Sequence, residues 1–290
     1  MKFGSTDHPE ELNLELPKDD EATAKVLAQN KTGLQDIYVG CAKWNRQDLK
    51  GFYPRGTKDE LVYYSTQFNS IELNATFYRI FPKNQSEKWA QKTPTDFKFF
   101  PKVPQSISHF QRLSNCTDIV YEFCDSIAGF KEKLGMPFLQ MPDNFTPKHF
   151  DRLKYFISEW PKGVSWALEL RHTDWYNDKS IATKLTSLLE ANQISSIITD
   201  TAGRRDLLHM RLTSPTAFVR YVGANHSSDY DRLDEWVSRI REWNSLGLEH
   251  LYFFIHQNLE NESPLLATHF IQQLNEALGT NVQGPISLMI

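Results

Sequence analysis

From Ile37 onward, short apolar runs alternate with longer stretches whose apolar residues recur at helical spacing. Eight runs read as strands: "IYVGCAKW" from Ile37, "SIELNATFY" from Ser70, "FKFFPKVP" from Phe97, "PFLQMP" from Pro137, "SWALELRH" from Ser165, "SSIITD" from Ser195, "AFVRYVG" from Ala217 and "LYFFIH" from Leu251. The stretches between them carry helix signals. Thr57 and Glu60 have capping-box spacing. A second helix ends before Pro94, and a third covers about Cys116 to Leu134. Thr146 and Pro147 open the next, and others run from Lys179 to Ala191, from Tyr230 to a stop at Gly247, and onward from Ser263–Pro264. After the sixth run, "TAGRRDLLHMRLTSPT" is short and weakly helical, so that unit reads as degenerate.

Eight strands alternating with helices is the order of a single (β/α)8 TIM-type barrel, an α/β fold. A doubly wound open sheet is the alternative, but no glycine-rich strand-to-helix turn supports it. Residues 1–33 are polar and acidic, with a helix expected from Asp20 to Gln29, and form an N-terminal extension to a domain spanning 34–290.

The phase of the polar residues is less ordinary. Parallel strands covered on both faces read as continuous apolar runs, yet these are interrupted at regular positions. If the second strand extends to Tyr78, Glu72, Asn74 and Thr76 share one face opposite Ile71, Leu73 and Ala75. Lys98 and Lys102 interrupt the third strand, and Gln140 lies in the fourth. Glu169 and Arg171 share a face of the fifth, Asp200 ends the sixth, Arg220 breaks the seventh, and His256 ends the eighth. Unpaired buried charges are costly, so these groups must meet one another, a ligand or water. In a barrel they converge at the C-terminal strand ends. Lys98 is assigned to a solvated edge. His109, His149, His209, His226 and His269 are assigned to surface or helix positions. Cys41 is read as a core residue rather than a nucleophile. A structural alternative fills the barrel with internal salt bridges, Glu72–Arg220 or Glu169–Lys102, without chemistry.

Composition narrows the classes. The 290 residues are 40% hydrophobic and 23% charged, with a net charge of -4, an ordinary globular profile without a global pull toward nucleic acid or anionic membrane. Three cysteines without a Cys-x-x-Cys pair give neither a disulfide framework nor a zinc knuckle. No stretch resembles a signal peptide or a membrane span, and a cytoplasmic location is the default expectation. No cofactor or resident metal is expected, and nothing in the sequence sets an oligomeric state.

Six segments, "YVGCAKW", "FNSIELNATFYRIF", "FKFFPKVPQSISH", "FLQMPDNF", "ALELRHTDWY" and "FVRYVG", resemble in order and spacing the signatures of the YecE-like family, a domain of unknown function. The resemblance runs from about Ile37 to the final helix. It implies a (β/α)8 barrel but no reaction, and its matching polar positions are Glu72, Asn74, Thr76, Tyr78, Lys102, Gln140, Glu169, Arg171, His172, Trp175 and Arg220. The chain departs from the family pattern at Cys41–Trp44 and at His256 and Gln257.

The expected function is an enzyme acting on a small anionic or polyhydroxylated substrate. Arg171, Arg220 and Lys102 would hold phosphate or carboxylate. Glu72 or Glu169 would act as general base, and Asn74 would stabilise developing negative charge. Thr76, Tyr78, Gln140, His172, Asp200 and His256 complete the expected ligand-binding set. The alternatives are a metal-dependent isomerase, lyase or phosphodiesterase using Glu72, Glu169, Asp200 and His256, or a non-catalytic binding protein with the same pocket.

Overall fold

β-Branched and aromatic runs bounded by proline, glycine and polar residues form eight short strands: β1 (Asp36–Cys41), β2 (Ser70–Leu73), β3 (Lys98–Pro101), β4 (Phe138–Gln140), β5 (Ala167–Glu169), β6 (Ser195–Thr201), β7 (Thr216–Gly223) and β8 (His250–Gln257). This computed structural model describes residues 4–30 and 32–285. The first three residues of the extension, Lys31, and the last five residues of the expected domain lie outside the described residues. Every ladder is parallel. Six strands form a sheet in the order β1-β8-β7-β6-β5-β4, and β2 pairs with β3.

Around the strands lie α1 (Glu21–Leu27), α2 (Glu60–Ser65), α3 (Ala75–Tyr78), α4 (Lys83–Gln91), α5 (Thr117–Ala128), α6 (Phe150–Glu159), α7 (Asp174–Asn177), α8 (Lys179–Ala191), α9 (Ser228–Leu246) and α10 (Ser263–Leu278). The chain is thus an α/β fold with a mostly parallel central sheet and flanking helices. No described helix is long and apolar enough to cross a membrane.

The two sheets meet at two seams. At one, Lys102 bridges Phe138, and the Val103 N–H donates to the Phe138 carbonyl at 2.8 Å. At the other, side chains replace the backbone ladder. The Asn69 amide accepts from the Val39 N–H at 3.0 Å and donates to the Ile37 carbonyl at 2.7 Å. The Tyr64 hydroxyl accepts from the Cys41 N–H and donates to the Ser70 carbonyl. Gly40 permits this approach, since a Cβ there would lie 2.1 Å from the Ser70 carbonyl oxygen.

Alternation sorts the strand residues into two cores. Outward side chains such as Val219, Phe253 and Ile198 pack with the helices, with Phe253 stacked 4.0 Å from Phe270. The other face gathers Phe100, Phe138, Ala167, Ile197, Phe218, Tyr252 and Phe254 into a separate aromatic cluster.

Three expectations need correction. The second strand stops at Leu73, because Asn74 turns helical (φ -74°, ψ -14°) and α3 follows. The Thr76 hydroxyl fixes that turn by donating to the Leu73 and Lys102 carbonyls. Asp59, not Thr57, caps α2, accepting from the Leu61 and Val62 N–H groups. Thr146 makes no side-chain cap, and a 3-10 turn precedes α6.

After β6 the chain makes only a 3-10 segment, Ala202–Leu207, where the other late strands are followed by long helices. The N-terminal extension covers this side. The Thr23 hydroxyl donates to the Met210 carbonyl and accepts from the Leu212 N–H, both at 3.1 Å. Asp19 accepts from Trp243 and Arg239 of α9, and Arg205 donates to the Leu14 and Glu15 carbonyls. α1 thereby packs along α9 and buries Thr23, Val26 and Leu27.

Candidate functional site

The polar residues stand one step above the aromatic cluster on the same strands. Gln140 follows Phe138 by two residues, Glu169 follows Ala167, Arg220 follows Phe218, His256 follows Phe254, Lys102 follows Phe100 and Thr199 follows Ile197. A two-residue step keeps a strand side chain on one face. The aromatic floor therefore carries a charged layer at the C-terminal strand ends.

Arg220 is its centre. Its Nε and Nη2 donate to the two oxygens of Glu72, both at 2.8 Å, and its Nη1 donates to Glu169 Oε2 at 2.5 Å. The other Glu169 oxygen accepts from Arg171 Nε at 2.5 Å. His256 Nε2 lies 3.1 Å from Glu72 Oε2 and 3.3 Å from Arg220 Nη2. Asn74 donates to Glu72 Oε1 at 2.8 Å. Lys102 donates to Gln140 Oε1 at 2.9 Å, with its ammonium 4.3 Å from the centre of the Phe77 ring.

Burial alone would raise both carboxyl pKa values, but the opposing charges prevail. Arg220 and His256 hold Glu72 well below the ordinary carboxylate value. Arg171, Arg220 and Lys102 bring Glu169 to about 2. Arg220 itself is held above its ordinary value: burial opposes its charge, but Glu169 and Glu72 outweigh it. Neither carboxyl retains a proton near neutrality, so the pair lacks the general acid that glycoside hydrolysis needs.

Lys102 behaves oppositely. Burial, then Arg220 and Arg171, lower its pKa to about 7, because the attraction of Glu169 and Glu72 does not offset them. Among the described residues no carboxylate oxygen lies within ion-pair distance of its amine. The layer thus brings Lys102, Arg171 and Arg220 together with the carboxylates of Glu72 and Glu169, and Asp143 acts on Arg171 as well. The Thr199 hydroxyl, buried on the same face, has no hydrogen-bond partner among the described residues.

Of the residues expected from sequence, Glu72, Asn74, Lys102, Gln140, Glu169, Arg171, Arg220 and His256 are brought together. Four others stand apart. Asp200 occupies the opposite phase of β6 from Thr199 and faces α9, accepting from Arg232 at 2.8 Å, Trp236 at 2.7 Å and Arg205. Thr76 has its hydroxyl committed to backbone carbonyls. Tyr78, carried outward by α3, is 71% exposed. His172 is partly exposed and accepts from the Asp174 N–H. With Asp200 turned away, the expected metal-donor set is not assembled. The Glu72–Arg220 bridge raised as the structural alternative is present. Glu169 pairs with Arg171 and Arg220 rather than with Lys102.

His109 lies on a short π-helical segment, Ser106–Phe110, as its helix assignment expected, but that segment stands beside the charged layer. It is bonded to Ser108 and edge-on to Phe77 at 5.0 Å, and burial with Lys102 and Arg171 lowers its pKa to about 4. Its nearness to the layer was signalled by position: it follows the C-terminal end of a strand, within "VPQSISH". His209 is half-buried and lies outside the helices. It stacks on Tyr176 at 4.4 Å and bonds to the Ile197 carbonyl. Thr199 was hidden by its neighbour Asp200, which drew attention to the wrong phase.

Residues 38–286 match the model of a protein family of unknown function, DUF72. The UPF0759 protein YecE of Escherichia coli (strain K12) is 24% identical over 264 residues, covering 83% of this chain and 94% of that protein. The UPF0759 protein YunF of Bacillus subtilis is 27% identical over 240 residues, covering 78% and 81%. Among solved structures, a DUF72 family protein from Thermotoga maritima superposes with a TM-score of 0.66 at 24% identity, over 85% of this chain and all (100%) of that one. Another from Enterococcus faecalis gives 0.68 at 18% identity, over 85% and 98%. These structures share the fold, and the match across 38–286 establishes that the chain belongs to the DUF72, YecE-like family.

Proposed function

We propose that the two sheets close into one (β/α)8 barrel through the Asn69 and Lys102–Phe138 seams, and that the charged layer at its C-terminal end is the site of an enzyme acting on a small anionic or polyhydroxylated substrate. The observation that carries this reading is Lys102, a buried amine without a carboxylate partner among the described residues. A buried uncompensated cation destabilises a fold, whereas an entering anion would relieve that cost. The orphaned Thr199 hydroxyl and the neutral His109 add further polar contacts for a substrate.

Roles follow from the pairing. Glu72 and Glu169 position the two arginines, and their low basicity removes them from the general-base role. Lys102 is the proton-transfer group best matched to neutral pH. Asn74 and His256 orient Glu72 within the same layer.

Calorimetric titration with inorganic phosphate, followed by a panel of small phosphorylated and carboxylated polyols, tests the reading. One anion should bind per chain, and Lys102→Met should weaken it at least ~10-fold, the effect of removing one charge-assisted contact. No anion binding, or equal binding by the variant, would overturn it. Binding without turnover of any bound compound would leave a binding protein instead.

A further inference from the structure

We propose that Lys102 is a nucleophile that forms an imine with the carbonyl group of a small anionic aldehyde or ketone. This deepens the reading of the charged layer as an anion site and rests on it.

Four observations point to covalent chemistry. Lys102 is 8% exposed and its amine lies between Gln140 Oε1 and the Phe77 ring, so its approach is defined and little water reaches it. Its single hydrogen-bond partner among the described residues is a neutral amide, which leaves the nitrogen uncommitted to any carboxylate. The charged groups around it are Arg220, Arg171, Glu169 and Glu72, with His109 on the short helix after β3 and Asp143 acting on Arg171 and His109. Glu72 and Glu169 are both engaged by arginines, so the local field favours the neutral amine, the form that attacks carbonyl carbon. Desolvation beside another cation is a known way to activate a lysine for this purpose.

The step balances without a redox partner. The Nζ lone pair attacks the carbonyl carbon and forms a C–N bond, giving a carbinolamine. The former carbonyl oxygen then leaves as water with the two hydrogens of the amine, and a C=N bond remains. Arg171 and Arg220 provide the positive surroundings that select a carbonyl compound bearing phosphate or carboxylate.

Borohydride trapping tests the proposal on the full chain at neutral pH, using pyruvate, dihydroxyacetone phosphate and glycolaldehyde phosphate as separate probes. Reduction should fix at least one of them as a secondary amine at Lys102, read as a single mass increment and located by peptide mapping. Labelling should exceed that of any surface lysine at least ~10-fold and vanish in Lys102→Met, whose thioether fits the same buried volume. No adduct at Lys102 with any of the three, or label spread evenly over surface lysines, overturns the proposal. Phosphate titration of the same samples separates the two readings. Anion binding without an adduct refutes the imine alone, and loss of both refutes the site.

Discussion

Arg220 shows how one side chain organises several others. Its guanidinium spans Glu72 and Glu169, which otherwise would be two buried carboxylates facing each other across the strand ends. Removing one partner of a buried ion pair costs about 3–5 kcal/mol, because the remaining charge is left unpaired. Arg220→Met should therefore lower unfolding free energy by about 3–5 kcal/mol in denaturant titrations, with the loss shrinking as acid protonates the stranded carboxyls. A change below about 1 kcal/mol would mean that the clamp is dispensable. At this scale the sequence was informative wherever parity could be trusted. Gln140, Glu169, Arg220 and His256 each stand two residues beyond a member of the aromatic cluster, and the alternation that singled them out also places them. Asp200 failed for want of that check. Ile198 and Asp200 share one phase, Ile197 and Thr199 the other, and only the second phase meets the charged layer.

Among elements, the end of β2 and the seam before it were the least legible. "SIELNATFY" alternates well enough to pass for one long strand, but Thr76 spends its hydroxyl on the Leu73 and Lys102 carbonyls, and the chain turns into α3. That contact joins residues 26 apart and leaves no local signal. The β1–β2 seam depends equally on tertiary contact. Asn69 imitates a peptide group, accepting from Val39 and donating to Ile37. Asn69→Ala would strip both of their partner, at about 1–3 kcal/mol for each buried group left unsatisfied. We expect a loss of at least ~2 kcal/mol by denaturant titration, with faster amide exchange at Val39. Unchanged exchange there would show that the seam does not need the amide. The place of α1 was equally unreadable, since it rests on contacts with Met210, Leu212 and α9 that lie far along the chain.

For the whole molecule, the strand–helix order was legible because eight apolar runs are separated by stretches of helical period, and the two solved family structures share the fold. The layered organisation was only half legible. Sequence showed polar residues in phase and raised the Glu72–Arg220 bridge, but not that Glu169 would pair with Arg220 and Arg171 and leave Lys102 outside the chain of ion pairs. That remainder sets the chemistry. Because the amine's folded pKa lies below its unfolded value of 10.5, its burial cost is full below about pH 7 and is relieved as pH rises toward 10.5. An anion that binds at neutral pH relieves the same cost by another route.

The most direct test is to follow the Lys102 side chain by NMR through a pH titration of the selectively labelled protein, assigned by comparison with Lys102→Met. A midpoint near 7, separated from the surface lysines, is expected. A midpoint at or above the ordinary 10.5 would show that the amine is compensated by a partner or by solvent, and the case for an anion-binding, nucleophilic lysine would fall.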